Sequence, residues 1–234
     1  MSARAYTAAT TPLPRGRSDT RDPRDGLATP LLVALLCALG LALVWIVATH
    51  VDVARRFDAR LLGRLTSYEG PRVNSIGQTL LHLLNPTQFT IWAVVLVLFA
   101  LARNRPRVAL AVALIMSLGP LSAETLKPLL AYPHLSYGEF RRIGAASWPS
   151  GHATAVTVLV CSVVLVCPPR WRVPAVVLGT GFALTIGVTL IVLAWHMPSD
   201  VLGGYLLGTL WAALAVACVR ASELRWPSRR RHQR

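Results

Sequence analysis

The sequence predicts an all-α protein, a polytopic bundle of about six transmembrane helices. Three observations carry that expectation. Hydrophobic residues fill 54% of the 234 positions against 15% charged, with a mean hydropathy of +0.51, and few soluble domains pair so much apolar residue with so little charge. The apolar residues gather in long runs, and the charges fall between those runs and at both ends. That is the pattern of a membrane protein following the positive-inside bias. The length suits one domain, and the composition excludes collagenous, disordered and disulfide-scaffold classes. A balance of 24 basic to 10 acidic residues, net +14, would elsewhere suggest nucleic acid. Here its placement assigns it to topology, and no nucleic-acid partner is expected.

Residues 1–27 are rich in Ala, Thr, Pro, Ser, Arg and Asp without apolar periodicity, as expected of a disordered tail. The run 28–51 begins too late and is too long for a signal-peptide core, yet suffices to cross a ~30 Å hydrocarbon layer. Further runs cover 89–102, 108–126, 153–167, 173–195 and 201–219. The second and fourth are short and must borrow turns from 83–88 and 150–152. Within the polar stretch after the first run, residues 54–65 place Phe57, Leu61, Leu62 and Leu65 at helical spacing among Arg and Asp. An amphipathic helix at the membrane interface fits this pattern, as does a solvated connecting helix. A second amphipathic stretch, 76–84, leads into the second run. The expected organisation is thus a tail over 1–27, a six-helix membrane domain over 28–219 and a basic tail over 220–234.

An even number of spans puts both tails on one side. The tails and the short turns 103–107 and 168–172 together hold sixteen of the 24 basic residues, so both termini are expected in the cytoplasm of a plasma-membrane protein. The segments 52–88, 127–152 and 196–200 then face outward. The run Arg229–Arg231 reads as a topology anchor beside anionic headgroups. Cys37, Cys161, Cys167 and Cys218 lie within apolar runs without zinc-like spacing and read as small core fillers.

Ionisable residues at span ends are costly and point to function. Three clusters converge on the outward face: Glu124, Lys127 and Pro128 closing the third span; Ser147, Pro149, Ser150, Gly151 and His152 opening the fourth; and His196, Pro198 and Asp200 joining the last two. Lys127 is the only lysine among the basic residues. A compact ammonium suits phosphate as a point charge, and a snorkelling residue is the plainer reading of it alone. Pro149 and Ser150 suit a helix start, and Gly151 admits close approach of an anion to the free N–H groups and helix dipole. A plain N-cap explains the first two equally well but leaves His152 at the membrane edge unexplained. His196 and Asp200 stand four apart with Pro198 between them, which puts Asp200 in the first turn of the last helix. Its carboxylate can then fix the His196 tautomer and leave the other nitrogen free to attack. A polar pair tying two helices together is the alternative. No HExxH or Cys/His pattern supports a metal shared by Glu124, His134, His152, His196 and Asp200, so neither metal nor cofactor is expected.

These clusters resemble the signatures of the type 2 phosphatidic acid phosphatase superfamily, which shares its fold with the vanadium haloperoxidases. The family pattern runs Lys-x6-Arg-Pro, then Pro-Ser-Gly-His, then Ser-Arg-x5-His-x3-Asp. Lys127 matches the first position, Pro149, Ser150, Gly151 and His152 match the second motif in full, and His196 and Asp200 match the third. Order and span placement agree over residues 28–219. Both family arginines are missing: His134 stands seven residues after Lys127 and is followed by Leu135, while Leu190 stands six before His196 and follows Thr189. Leucine cannot form the guanidinium fork to phosphate. His134, Arg141 and Arg142 are the residues from which the lost charge could return.

The resemblance implies a phosphatase in which Lys127, Ser150 and the Gly151 N–H hold the phosphate. His196, oriented by Asp200, would attack phosphorus to form a phosphohistidine, and His152 would protonate the leaving oxygen and then activate water. Tyr132 and Glu139 are placed at the entrance. The implied partner is a lipid phosphate: a polyprenyl pyrophosphate, phosphatidic acid or phosphatidylglycerol phosphate. The competing reading is a non-catalytic protein that binds or moves a phospholipid on the same scaffold. Loss of two arginines favours that reading; retention of His152, His196 and Asp200 together favours the enzyme. Haloperoxidase chemistry would need a tight vanadate clamp, whose arginines are gone.

Overall fold

A computed structural model of the chain describes residues 25–132 and 143–226. Among the described residues the secondary structure is entirely helical: α1 (Asp25–His50), α2 (Asp52–Thr66), α3 (Pro71–His82), α4 (Pro86–Ala102), α5 (Pro106–Leu129), α6 (Gly151–Val166), α7 (Pro169–Val192) and α8 (Pro198–Arg225). Prolines set the boundaries. Five helices carry one in the first turn, where the missing N–H costs nothing and the fixed φ is already helical. Of those that start without one, α6 is capped by Ser150, which accepts the Ala153 N–H at 3.4 Å.

Each of the six apolar runs lies on a helix, and two of these helices outgrow the expected domain. α1 starts at Asp25, inside the stretch read as tail, and α8 continues to Arg225, beyond the expected end at 219. The crossings are fewer than expected by length. α1, α5, α7 and α8 are long and apolar enough to span a membrane, and α3 with α4 makes a fifth only if that pair, bent by 46°, counts as one span. The 16 residues of α6 rise about 24 Å, short of a ~30 Å core. The protein is a multi-pass membrane bundle. Its described surface agrees, since Leu31, Leu35, Leu39 and Leu43 of α1 and Val173, Val177 and Leu178 of α7 are all exposed, a surface suited to lipid tails.

Helix α8 is the hub, packed against α1, α5 and α6, while α4 lies on α5 and α7 on α6. Val112 and Ile115 of α5, Val156 and Val158 of α6, Ile186 and Leu190 of α7 and Val201 of α8 form the main core. Small residues let α6 and α8 approach closely. A Cβ on Gly204 would stand 2.5 Å from the Ser150 carbonyl oxygen, and one on Gly208 would stand 2.6 Å from Thr157 Cβ. This is the small-xxx-small device of membrane helix pairs. All four cysteines are free.

Helix α2 settles against α1, α7 and α8 with Ala59 and Leu62 buried, and Val53 and Phe57 remain exposed. Its Asp58 meets Ser199 at the start of α8, and Tyr132 meets the same residue. The segments expected to share one face therefore converge at one end of the bundle. At the other end Arg105 donates to the Leu165 carbonyl, Arg107 to that of Trp226 and Arg220 to that of Gly26.

Candidate active site

The α7–α8 turn builds a buried polar group at the converging end. Ala194 adopts φ of 50°, a left-handed conformation that costs a non-glycine residue roughly 1–2 kcal/mol. It closes α7, with Trp195 N–H donating back to the Leu190 carbonyl at 2.9 Å, and turns the chain so that His196 points inward, largely buried. Pro198 then starts α8, and Asp200 falls in its first turn, fully buried. Asp200 Oδ2 takes the Met197 N–H at 3.0 Å and lies 3.2 Å from His196 Nδ1. A carboxylate only accepts, so Nδ1 carries the proton and Nε2 keeps its lone pair. Asp200 Oδ1 has no hydrogen-bond partner among the described residues. The α8 dipole, positive at this end, stabilises the buried charge.

The α6 N-terminus adjoins this turn through its backbone. Ser150 N–H donates to the Asp200 carbonyl at 2.9 Å, so the helix start bearing Ser150, Gly151 and His152 is tied directly to the turn bearing His196 and Asp200. The His152 ring lies edge-on to Trp195, centroids 5.8 Å apart, and within electrostatic range of His196, Lys127 and Glu124. Ser150 is fully buried. Its Oγ accepts the Ala153 N–H, which leaves the hydroxyl proton to donate.

Helix α5 supplies Lys127 in its last turn, with Nζ 2.6 Å from Glu124 Oε1. That carboxylate also borders Gly151: a Cβ there would stand 2.7 Å from Glu124 Oε1 and 3.7 Å from Lys127 Nζ. The anion-favouring start of α6 is thus flanked by an ammonium and a carboxylate together.

Residues 108–223 match the profile of the PAP2 superfamily. The chain belongs to the PAP2 superfamily. The match runs from the first turn of α5 to the last of α8 and takes in all three motif clusters. The PAP2 fold is seen also in the overall likeness to the crystal structure of the first transmembrane PAP2 type phosphatidylglycerolphosphate phosphatase from Bacillus subtilis. The TM-score is 0.66 at 19% identity, covering 85% of this chain and 98% of that one. No curated protein matches by sequence.

Against the PAP2 pattern, the place of the third-motif arginine holds Leu190, which is fully buried in the main core. Of the three residues expected to restore charge, His134, Arg141 and Arg142 all lie outside the described residues, as does Glu139. Tyr132 is described and buried, packed with Ala48 and Trp148.

Sequence reasoning overlooked Asp58. It accepts the Ser199 N–H at 3.0 Å and the Ser199 hydroxyl at 2.6 Å. Burial pushes its carboxyl up to about 6; the Ser199 bonds oppose this and the Asp200 charge adds to it. Tyr132, also hydrogen-bonded to Ser199, has its phenol raised by burial and by the same Asp200 charge. The signal was present: Asp58 shares a helical face with Leu62 and Leu65, so the apolar stripe of α2 carries a carboxylate.

Proposed function

We propose that this PAP2 protein is an integral-membrane lipid phosphatase that hydrolyses a phosphate or pyrophosphate monoester at the outer face of the plasma membrane, through a phosphohistidine and without a metal. The observation that carries this reading is the buried His196–Asp200 pair, joined through the Ser150 N–H to the helix start that bears His152. Binding alone has no use for a nucleophile, its orienter and a second histidine in one place.

In this mechanism His196 Nε2 attacks phosphorus, the P–N bond forms and the P–O bond to the lipid breaks. His152 delivers its proton to the departing oxygen, then takes one from the water that cleaves the P–N bond and frees phosphate. Lys127, the Ser150 hydroxyl and the Gly151 N–H stabilise the charge on the equatorial oxygens, aided by the α6 dipole. Asp200 keeps the proton on Nδ1 and stabilises the imidazole as positive charge develops.

The deciding experiment measures phosphate released by detergent-purified protein from polyprenyl pyrophosphate, phosphatidic acid and phosphatidylglycerol phosphate with a chelator present. Release from at least one, inhibited by vanadate, is expected. Folded protein that releases none would move the assignment to lipid binding or transport.

Glu124 gives a second test. Its carboxylate pairs with Lys127 where an anion would bind, so Glu124→Gln should tighten vanadate inhibition about fivefold, equivalent to removing roughly 1 kcal/mol of repulsion at 4 Å in water. Weaker inhibition would instead mean that Glu124 holds Lys127 in its working position.

A further inference from the structure

Helix α8 begins without a capping side chain of its own that serves Ser199. Met197 precedes it, Pro198 brings no N–H, and Asp200 is turned back onto Met197 N–H and His196. The Ser199 N–H is instead taken by Asp58, 141 residues earlier in the chain, and the Ser199 hydroxyl donates to the second oxygen of the same carboxylate. A two-point clamp of this kind fixes both the position and the rotation of the residue it holds. That residue directly precedes Asp200, whose Oδ2 bonds His196.

Two carboxylates at one helix start repel each other, and the arrangement persists because the positive end of the α8 dipole and the donated protons offset that repulsion. The clamp also comes from outside the long helices. Asp58 sits on α2, the amphipathic helix beside α1, α7 and α8, next to exposed Phe57.

We propose that Asp58 is a positioning residue for the His196–Asp200 pair: by holding both polar groups of Ser199, it sets the first turn of α8 and thereby the angle at which His196 faces its substrate. The proposal rests on the phosphatase reading of the site. The test is chosen to separate the two.

Asp58→Ala should lower kcat about 10- to 100-fold, the range expected when a nucleophile is displaced by a fraction of an ångström to an ångström. KM should stay within about twofold, because Asp58 does not touch the phosphate cradle. Asp58→Asn keeps the shape and one acceptor and should recover part of the loss. Ser199→Ala removes one of the two Asp58 bonds, together with the bond to Tyr132, and keeps the Ser199 N–H on Asp58; its kcat should still fall. The double variant should cost less than the two single changes added together, since both remove the bond between the Ser199 hydroxyl and Asp58.

A second readout does not depend on turnover. The rate at which diethyl pyrocarbonate modifies His196, followed by peptide mass spectrometry, should rise several-fold in Asp58→Ala and less in Asp58→Asn. An active wild type whose Asp58→Ala variant keeps its kcat overturns the positioning role. So does an unchanged His196 modification rate, and so does additivity in the double variant. A wild type inactive on every lipid, with His196 modification still accelerated by Asp58→Ala, removes the phosphatase reading and leaves the positioning role standing.

Discussion

Replacing His196 by alanine should reduce phosphate release by at least about 10⁴-fold, the scale on which enzymes lose rate when a covalent nucleophile is removed. The magnitude follows from the site. His196 is largely buried, Asp200 fixes its tautomer, and Nε2 is the nitrogen left with a lone pair. In the proposed mechanism the Lys127 ammonium and the α6 start would hold the lipid phosphate without the imidazole, so substrate binding should persist while turnover stops. A direct check uses lipid carrying ³²P in the phosphate, quenched in alkaline detergent, where an N-linked phosphoryl group survives. Wild-type protein should retain label on His196 and the variant none. Label on another residue would reassign the nucleophile, and unchanged phosphate release would remove His196 from the chemistry.

The second large effect concerns a residue that touches no substrate. Gly204→Ala would place a methyl group 2.5 Å from the Ser150 carbonyl oxygen and 2.7 Å from Ala153 Cβ. The first is backbone and cannot rotate away, so α6 and α8 must separate. Overpacking of this kind costs about 1–3 kcal/mol. The functional loss should be larger, because the Ser150–Asp200 backbone bond crosses the same gap. A shift of about 1 Å between the two halves of the site should lower kcat by about 10²-fold. Gly181→Ala on α7 is the control: nothing lies within 4 Å of its Cβ, and alanine is the better helix former by up to ~1 kcal/mol. Phosphate release and thermal unfolding of both variants would decide the matter. Near-normal turnover in Gly204→Ala would show that close α6–α8 contact does not govern the site.

Much of this was readable in the chain because it is local. Apolar runs announce membrane helices one by one, and proline marks where most of them start. The four-residue spacing of His196 and Asp200 around Pro198 gives their contact, because the first turn of a helix fixes where its third residue points. The break between α3 and α4 was half visible in the short apolar run at 89–102 and in Pro86, which holds Asn85 out of the helical region; its angle of 46° was not. The Asp58–Ser199 clamp shows the limit. It joins residues 141 apart, and such a contact follows only once α2 has been folded back onto the bundle. The approach of Glu124 to Gly151 is similar, since the end of α5 and the start of α6 must first be brought together across the connection between them.

The shortness of α6 carries a consequence for the lipid around the protein. At about 24 Å it leaves a mismatch of roughly 6 Å against the hydrocarbon thickness, and α4, at 17 residues, comes up short beside it. Bilayers answer short helices by thinning locally, at a fraction of a kcal/mol per ångström. The leaflet would dimple over this side of the bundle, and a headgroup drifting into the dip would descend toward the start of α6. Delivery of the phosphate ester would then be the work of membrane deformation, and turnover should depend on acyl-chain length in the surrounding bilayer as well as in the substrate.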